Sequence, residues 1–242
     1  MSILRRLERE NGLVVLIDPA RTTAAKAREL ARRAAGEGVA ALLIGNSFGA
    51  DENTSALARQ LKDAAPELPL LQFPANASQL VPDVDAILFL SLVSGRNPQY
   101  LIEEHVRAVP FFARHPTVEA ISTAYVLVDG GCVTSVESVS QTRPLPANKP
   151  ELVRAHVAAA MMIGMRASYL DAGSGARCPV AAPLVRAARE ATTGPIFVGG
   201  GIRDADEVRA AREAGASHVV IGTLLERDGA RQVRDLTAAA RA

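Results

Sequence analysis

Short apolar runs and amphipathic stretches alternate along most of the chain. Val39 to Ile44 and Leu68 to Phe73 are apolar runs of strand length, and the segment between them, Glu52 to Ala64, has Ala and Leu at helical spacing. Parallel strands that are covered on both faces show such continuous apolar runs, and crossover helices must connect them. The pattern therefore predicts an α/β protein with a parallel sheet.

The same alternation indicates about eight strands, most of them followed by a helix. The predicted strands are Leu13–Ile17, Val39–Ile44, Leu68–Phe73, Asp85–Leu90, Val118–Asp129, Ala167–Leu170, Pro195–Val198 and His218–Ile221. The predicted helices cover 2–9, 22–36, 52–64, 97–109, 151–165, 181–191, 204–214 and 224–241. This pattern favours a closed (β/α)8 barrel, or TIM barrel, with the first helix packed across its bottom. The length of 242 residues fits one such domain, so we expect a single domain over residues 1–242.

One stretch departs from the strand–helix alternation. Asp129-Gly130-Gly131 has the composition of a tight turn, and the apolar run from Val118 precedes it. Cys132 to Val136 follows the turn, which predicts a β-hairpin with a short return strand.

Two glycine turns near the end of the chain predict an anion site. Val198-Gly199-Gly200-Gly201 and Ile221-Gly222-Thr223 each follow an apolar run and lead into a helix. Glycines let the backbone approach an anion closely, and free N–H groups at a helix start point towards it. In TIM barrels the loops after strands 7 and 8 frequently bind phosphate. The alternative is a pair of tight turns that bind no ligand.

Polar side chains at the carboxyl ends of the predicted strands would share one face of such a barrel. In chain order, the residues at these ends are Asp18, Ser47, Asn76, Ser91, Tyr125, Asp171, Gly200 and Gly222. Two carboxylates, several hydroxyls and two anion-binding turns suit a phosphorylated substrate together with a metal ion.

Asp18 is the candidate ligand for Mg²⁺, with the Ser47 hydroxyl as a second ligand. Mg²⁺ takes one or two protein oxygens and completes its shell with water and phosphate oxygens. Asp171 is the candidate general base, since a carboxylate can take the proton of an attacking hydroxyl. For both aspartates the alternative is a local capping role.

Other polar residues give weaker signals. The Tyr169 phenol can hydrogen-bond a phosphate or belong to the core, and Lys149 can neutralise a diphosphate or only face solvent. The further candidates for anion binding are Arg21, Arg96, Arg177 and Arg203. The four histidines (His105, His115, His156 and His218) do not show metal-ligand spacing.

The charge balance argues against nucleic acid and anionic membranes as partners, because 27 Lys and Arg residues face 26 Asp and Glu residues. No apolar run has the length of a membrane span, and the charged N-terminus lacks the apolar core of a secretory signal. Two cysteines, Cys132 and Cys178, give no disulfide framework, and Cys178 has no paired base that would make it a nucleophile. We therefore expect a cytoplasmic protein.

Tyr169 to Ala176, read together with Val198 to Arg203, resembles the geranylgeranylglyceryl phosphate synthase family, which includes the heptaprenylglyceryl phosphate synthases. The resemblance covers nearly the whole chain. Further motifs in the family's order are Leu16-Ile17-Asp18-Pro19, Phe73-Pro74-Ala75-Asn76, Asp85 to Ser91, Asn97-Pro98, Thr123-Ala124-Tyr125 and Asn148-Lys149-Pro150.

The resemblance implies a modified TIM barrel that joins an allylic prenyl diphosphate to a hydroxyl of a glycerol phosphate, with Mg²⁺ as cofactor and a homodimer as the assembly. It implies that Asp18 and Ser47 hold Mg²⁺ and that Asp171 stands where the family has a glutamate base. The substrate-binding residues would be Tyr169, Gly173, Ser174, Gly200, Gly201, Gly222, Thr223, Arg21, Lys149, Asn76 and Tyr125. The prenyl chain needs an apolar channel, whose candidates are Phe89, Leu90, Leu92, Tyr100, Phe111 and Phe112, with Tyr100 limiting its length.

Departures from the family pattern keep other functions open. The chain has Ala20-Arg21 where the family often has Asp-Lys, and Asp171 replaces the usual glutamate. A similar barrel, the moenomycin-type phosphoglycolipid prenyltransferase, joins a farnesyl chain to 3-phosphoglycerate, whose carboxylate Arg21 or Arg177 would pair with here. More distant alternatives are a sugar-phosphate isomerase or aldolase and a barrel that binds phosphate without catalysis.

Overall fold

The computed structural model describes residues 2–45, 53–228 and 232–241. The described residues form eight parallel strands that pair in chain order and close into a barrel, with β8 pairing back to β1. The strands are β1 (Gly12–Ile17), β2 (Ala41–Ile44), β3 (Leu70–Gln72), β4 (Ala86–Leu92), β5 (Glu119–Leu127), β6 (Ala167–Asp171), β7 (Ile196–Gly199) and β8 (His218–Ile221). The predicted TIM barrel is confirmed.

Helices alternate with these strands. They are α1 (Ile3–Arg9), α2 (Ala24–Glu37), α3 (Thr54–Ala64), α4 (Glu104–Arg114), α5 (Ser135–Ser140), α6 (Pro150–Met162), α7 (Ala182–Ala191), α8 (Ala205–Glu213), α9 (Thr223–Asp228) and α10 (Val233–Arg241). A 3₁₀ turn covers Ala77–Gln79, and a π-helix covers Gln99–Glu103 directly before α4. The helix predicted over 224–241 corresponds to α9 and α10, and residues 229–231 of that prediction lie outside the described residues. None of the helices in these ranges combines the length and the apolar character needed to cross a bilayer.

The hairpin predicted at Asp129-Gly130-Gly131 is wrong. β5 ends at Leu127, and the predicted return strand is replaced by a loop and by α5. In a closed barrel β5 already pairs with β4 on one edge and β6 on the other, so it has no free edge for a return strand. Thr134 instead caps α5, since its hydroxyl accepts a hydrogen bond from Glu137 N at 3.4 Å.

The strands are apolar on both faces because the barrel separates two cores. Alternate residues point outward to the helices, such as Leu42 and Ile44 of β2, or inward to the barrel axis, such as Leu43. The inward cluster fills the lower barrel, and Leu4 and Leu7 of α1 complete it.

α1 lies across the amino-terminal end of the barrel, as predicted. The Glu119 carboxylate, at the start of β5, accepts hydrogen bonds from Ser2 Oγ (2.7 Å), Ile3 N (2.6 Å) and Leu4 N (3.3 Å). These bonds satisfy N–H groups that have no partner within the helix. The bottom of the barrel is thus closed, and the carboxyl ends of the strands form the face on which side chains surround open space.

We predict that Leu7→Ala lowers the free energy of unfolding by about 2–5 kcal/mol, because Leu7 is 1% exposed and its loss leaves a cavity inside the barrel. Urea unfolding followed by circular dichroism measures this change. The matched control is Leu152→Ala on α6, where the side chain is 37% exposed and the expected change is below about 0.5 kcal/mol. Equal losses in the two variants would contradict the role of α1 as the barrel floor.

Candidate active site

A polar basin opens at the carboxyl ends of the strands, between β1, β6, β7 and β8. Both predicted glycine turns lie in its wall, so the sequence-distant segments around Gly200 and Gly222 meet at one cavity. The predicted site residues that line this basin are Asp18, Tyr169, Asp171, Ser174, Gly200, Gly201, Gly222 and Thr223. Gly173 lies directly behind it, since its N–H donates to Asp171 Oδ1 at 2.7 Å.

Asp171 is the buried acidic group of the basin. Its second oxygen, Oδ2, accepts a hydrogen bond from Tyr125 Oη at 2.6 Å. Burial raises the pKa of the Asp171 carboxyl because it penalises the charged form, while the bonds from Tyr125 and Gly173 act in the opposite direction. A carboxylate with a raised pKa that is positioned by two donors has the properties of a general base.

Gly200 allows the end of β7 to pack against this carboxylate. Its φ is +83°, and a Cβ at this position would lie 2.6 Å from Gly173 N and 2.7 Å from Asp171 Oδ1. Gly201 has φ +74°, and a Cβ at this position would collide with the Cys178 carbonyl oxygen. The two glycines therefore bring the loops after β6 and β7 together at the basin, and they leave their own backbone accessible.

Tyr169 presents its hydroxyl at the same wall. Its ring is 2% exposed and stacks on Phe73 at 4.7 Å and on Phe197 at 6.0 Å between ring centroids. A Cβ on Gly199 would lie 2.5 Å from the Tyr169 hydroxyl, so this glycine makes room for it. Burial and the nearby Asp171 charge raise the pKa of Tyr169 well above its usual value, which keeps the phenol protonated as a hydrogen-bond donor.

Asp18 lines the basin at the end of β1 and also closes its own turn. Its Oδ1 accepts from Ala20 N at 2.9 Å, and its Oδ2 lies 3.6 Å from Arg21 Nε. The Arg21 side chain is 59% exposed and does not line the basin. Ser47, the second predicted Mg²⁺ ligand, lies outside the described residues. Within the described ranges no three His, Cys, Asp or Glu residues are grouped so that they could hold a metal ion.

An apolar groove adjoins the basin beyond the ends of β3, β4 and β5. Four predicted channel residues line it, namely Phe89, Leu90, Leu92 and Tyr100, as do Asn76 and Tyr125. Phe111 and Phe112 do not; they pack against the outer core. The groove has an empty volume of about 790 Å³, counting the part that is open to solvent.

Lys149 lies outside both cavities. It precedes α6, its side chain is 54% exposed, and its Nζ lies 3.9 Å from Glu151 Oε1. Arg203 does line the basin, and its Nη2 donates to the Arg177 carbonyl at 2.6 Å. Arg203 thereby fixes the loop after β6 that contains Gly173 and Ser174.

Sequence reasoning missed several residues of the groove. α5 contributes Val136, Val139 and Ser140, which the predicted hairpin concealed. The pattern Thr134-x-x-Glu137 is a helix-start signal and would have indicated α5. Phe73 was noted in a motif without a role, yet it lines both the groove and the basin.

Comparisons with a family model, with related sequences and with solved structures all match nearly the full length of the chain. The model of the PcrB family matches residues 5–240. The chain is 40% identical over 236 residues to the geranylgeranylglyceryl phosphate synthase of Korarchaeum cryptofilum, covering 96% of this chain and 95% of that protein. It is 35% identical over 224 residues to the enzyme of the same name from Chitinophaga pinensis, covering 93% of this chain and 88% of the relative.

A solved structure is similar over nearly the same length. It is the crystal structure of (S)-3-O-geranylgeranylglyceryl phosphate synthase from Thermoplasma acidophilum, in complex with its substrate sn-glycerol-1-phosphate. The TM-score is 0.89 at 27% sequence identity, and the match covers 98% of this chain and 96% of that chain.

We predict that Gly200→Ala lowers the free energy of unfolding by about 1–3 kcal/mol, because a side chain at positive φ is strained and would press on Gly173 and Asp171. Chemical denaturation of the purified variants measures the change. Gly36→Ala in α2 is the matched control, since a Cβ there meets nothing within 4 Å and alanine favours the helix, by up to about 1 kcal/mol. A Gly200→Ala protein as stable as the Gly36→Ala protein would contradict the close packing of Gly200 against Gly173 and Asp171.

Proposed function

This chain belongs to the PcrB family and is a prenyltransferase, and we propose that it joins an allylic polyprenyl diphosphate to a hydroxyl of sn-glycerol 1-phosphate. The products are a prenyl ether and diphosphate. One observation supports this proposal above the others: a polar basin with a buried carboxylate meets an apolar groove at Phe73. A hydrophilic acceptor and a lipid-chain donor require two such environments to adjoin.

The acceptor would lie in the basin. Its phosphate would be bound by the Tyr169 hydroxyl and by the backbone at Gly200, Gly201, Gly222 and Thr223, which line the basin together. Asp171 would take the proton of the attacking hydroxyl. Tyr125 donates to Asp171 Oδ2 and holds it in place, and burial together with the Asp171 charge raises the pKa of the Tyr125 phenol well above its usual value.

The donor would place its chain in the groove and its diphosphate at the basin. Asp18 would hold Mg²⁺ on the diphosphate, and its position in the basin wall supports this role. A single protein carboxylate fits this ion, since Mg²⁺ keeps water and takes phosphate oxygens for most of its shell. When bound, Mg²⁺ would neutralise charge on the departing diphosphate.

The electrostatics of the basin favour glycerol phosphate over 3-phosphoglycerate. Of the described residues that line it, Arg203 is the only arginine or lysine, and its Nη2 donates to loop carbonyls. Asp171 lies in the same wall and, when ionised, would repel the carboxylate of 3-phosphoglycerate. The groove likewise favours prenyl transfer over sugar-phosphate isomerase or aldolase chemistry, which needs no apolar channel.

The test is an assay of ether formation. We expect the purified protein with Mg²⁺ to convert labelled prenyl diphosphates and sn-glycerol 1-phosphate to a prenyl ether, with 3-phosphoglycerate a poorer acceptor. Farnesyl, geranylgeranyl and heptaprenyl diphosphates define the preferred chain, and chelation of Mg²⁺ should abolish turnover. Absence of ether with every donor and both acceptors would refute the proposal.

Asp171→Asn should lower kcat at least about 100-fold, because the amide cannot accept the hydroxyl proton. Asp206→Asn is its control, since the Asp206 side chain is 89% exposed on α8 and its loss should leave kcat unchanged. Light scattering on the same preparation tests the homodimer that we propose from the family resemblance.

The pH profile gives a separate prediction. The hydrogen bond from Tyr125 stabilises the ionised form of Asp171 and so lowers its pKa relative to burial alone. Removing the bond in Tyr125→Phe should raise that pKa. Because the base acts when ionised, the acid limb of the kcat/KM profile should then move to higher pH. An acid limb that stays in place, or moves to lower pH, would contradict this role of Tyr125.

A further inference from the structure

Phe73 is the one described residue that lines both the basin and the groove. It directly follows β3, and its backbone N–H donates to the Ile44 carbonyl at 2.8 Å. Its ring stacks on Tyr169 with centroids 4.7 Å apart and meets Tyr125 edge-on at 5.7 Å and 78°. Phe73 is partly exposed, and these two ring contacts hold its side chain where the two cavities meet.

The two cavities determine where the reacting carbon lies, if the proposed function holds. The acceptor hydroxyl must reach Asp171 in the basin, while the prenyl tail occupies the groove. The first carbon of the donor, to which the diphosphate is attached, must therefore lie at the junction beside Phe73.

We infer that Phe73 is a catalytic residue whose aromatic ring stabilises the positive charge that develops on this allylic carbon. In the step itself the bond between the carbon and the diphosphate oxygen breaks, and the electron pair leaves with diphosphate. The acceptor oxygen forms the new bond to the carbon, and its proton passes to the Asp171 carboxylate. The ring forms no bond and exchanges no electron; it supplies the negative face of its quadrupole to the cation.

The surroundings of the ring suit this role. Tyr169 stacks on one face of Phe73, and Tyr125 meets the ring at an interplanar angle of 78°, so the two tyrosines fix the orientation of an aromatic ring that lines both cavities. The groove side of the junction is apolar, with Leu90, Leu92 and Ala75 among its lining residues. Attraction between a cation and an aromatic ring is strongest where water is excluded.

Fluorination of the ring separates this electrostatic role from packing. Mono-, di- and trifluorophenylalanine have nearly the size of phenylalanine, but each fluorine weakens the negative face. With these residues at position 73, we expect the logarithm of the single-turnover rate of prenyl transfer to fall in proportion to fluorine number. The total loss should be about tenfold, with the KM values for donor and acceptor little changed.

The same series at Phe111 is the matched control. Phe111 lies on α4, packs against the outer core and lines neither cavity, so its fluorination should leave the rate unchanged. Phe73→Leu provides a second readout, since it keeps an apolar side chain without an aromatic face. It should lower the single-turnover rate by at least the factor found for trifluorophenylalanine.

The outcomes separate this inference from the proposed function. If the wild-type protein forms the ether and the series at position 73 is flat, Phe73 is a wall of the junction and the inference is overturned. If the wild-type protein forms no ether with any donor, the proposed function fails and this inference fails with it. A fall in rate at both positions 73 and 111 would indicate general damage to folding and would also count against the inference.

Discussion

The candidate site depends on one buried carboxylate and the two donors that satisfy it. Removing Asp171 from water is costly unless its oxygens are hydrogen-bonded, and the Tyr125 hydroxyl and the Gly173 N–H meet this requirement at 2.6 and 2.7 Å. The two donors come from β5 and from the loop after β6, which the barrel holds side by side. The two hydrogen bonds that stabilise the ionised carboxylate thus oppose burial, which raises the pKa of Asp171.

The glycines extend this constraint to the neighbouring strands. Gly200 brings the end of β7 to within contact distance of Asp171, and Gly199 leaves room for the Tyr169 hydroxyl. Any larger residue would have to push apart loops that β-sheet pairing holds in register. Backbone at the glycines therefore forms part of the basin wall, while side chains of β4, β5, α4, α5 and the π-helix line the groove.

The junction between these two environments explains how one barrel can serve a polar acceptor and an apolar chain. The lower barrel is filled by the inward cluster that α1 completes, and the basin and the groove both lie at the carboxyl ends of the strands. Polar groups converge on one part of that face and aromatic and aliphatic groups on the other, and Phe73 belongs to both.

The sequence by itself determined the barrel, its closed bottom and most of the basin, because apolar strand runs, strand-end polar residues and glycine turns are local signals. It also suggested Phe89, Leu90, Leu92 and Tyr100 for the groove. Local signals failed at α5, since the Gly130-Gly131 turn favours a hairpin unless both edges of β5 are already paired. Only the tertiary structure decided that Tyr125 binds Asp171, that Lys149 lies away from the basin, and that Phe73 joins the two cavities. Each of these three facts depends on a distance between segments that are far apart in sequence. The closure of the barrel sets such distances, and no local sequence pattern encodes them.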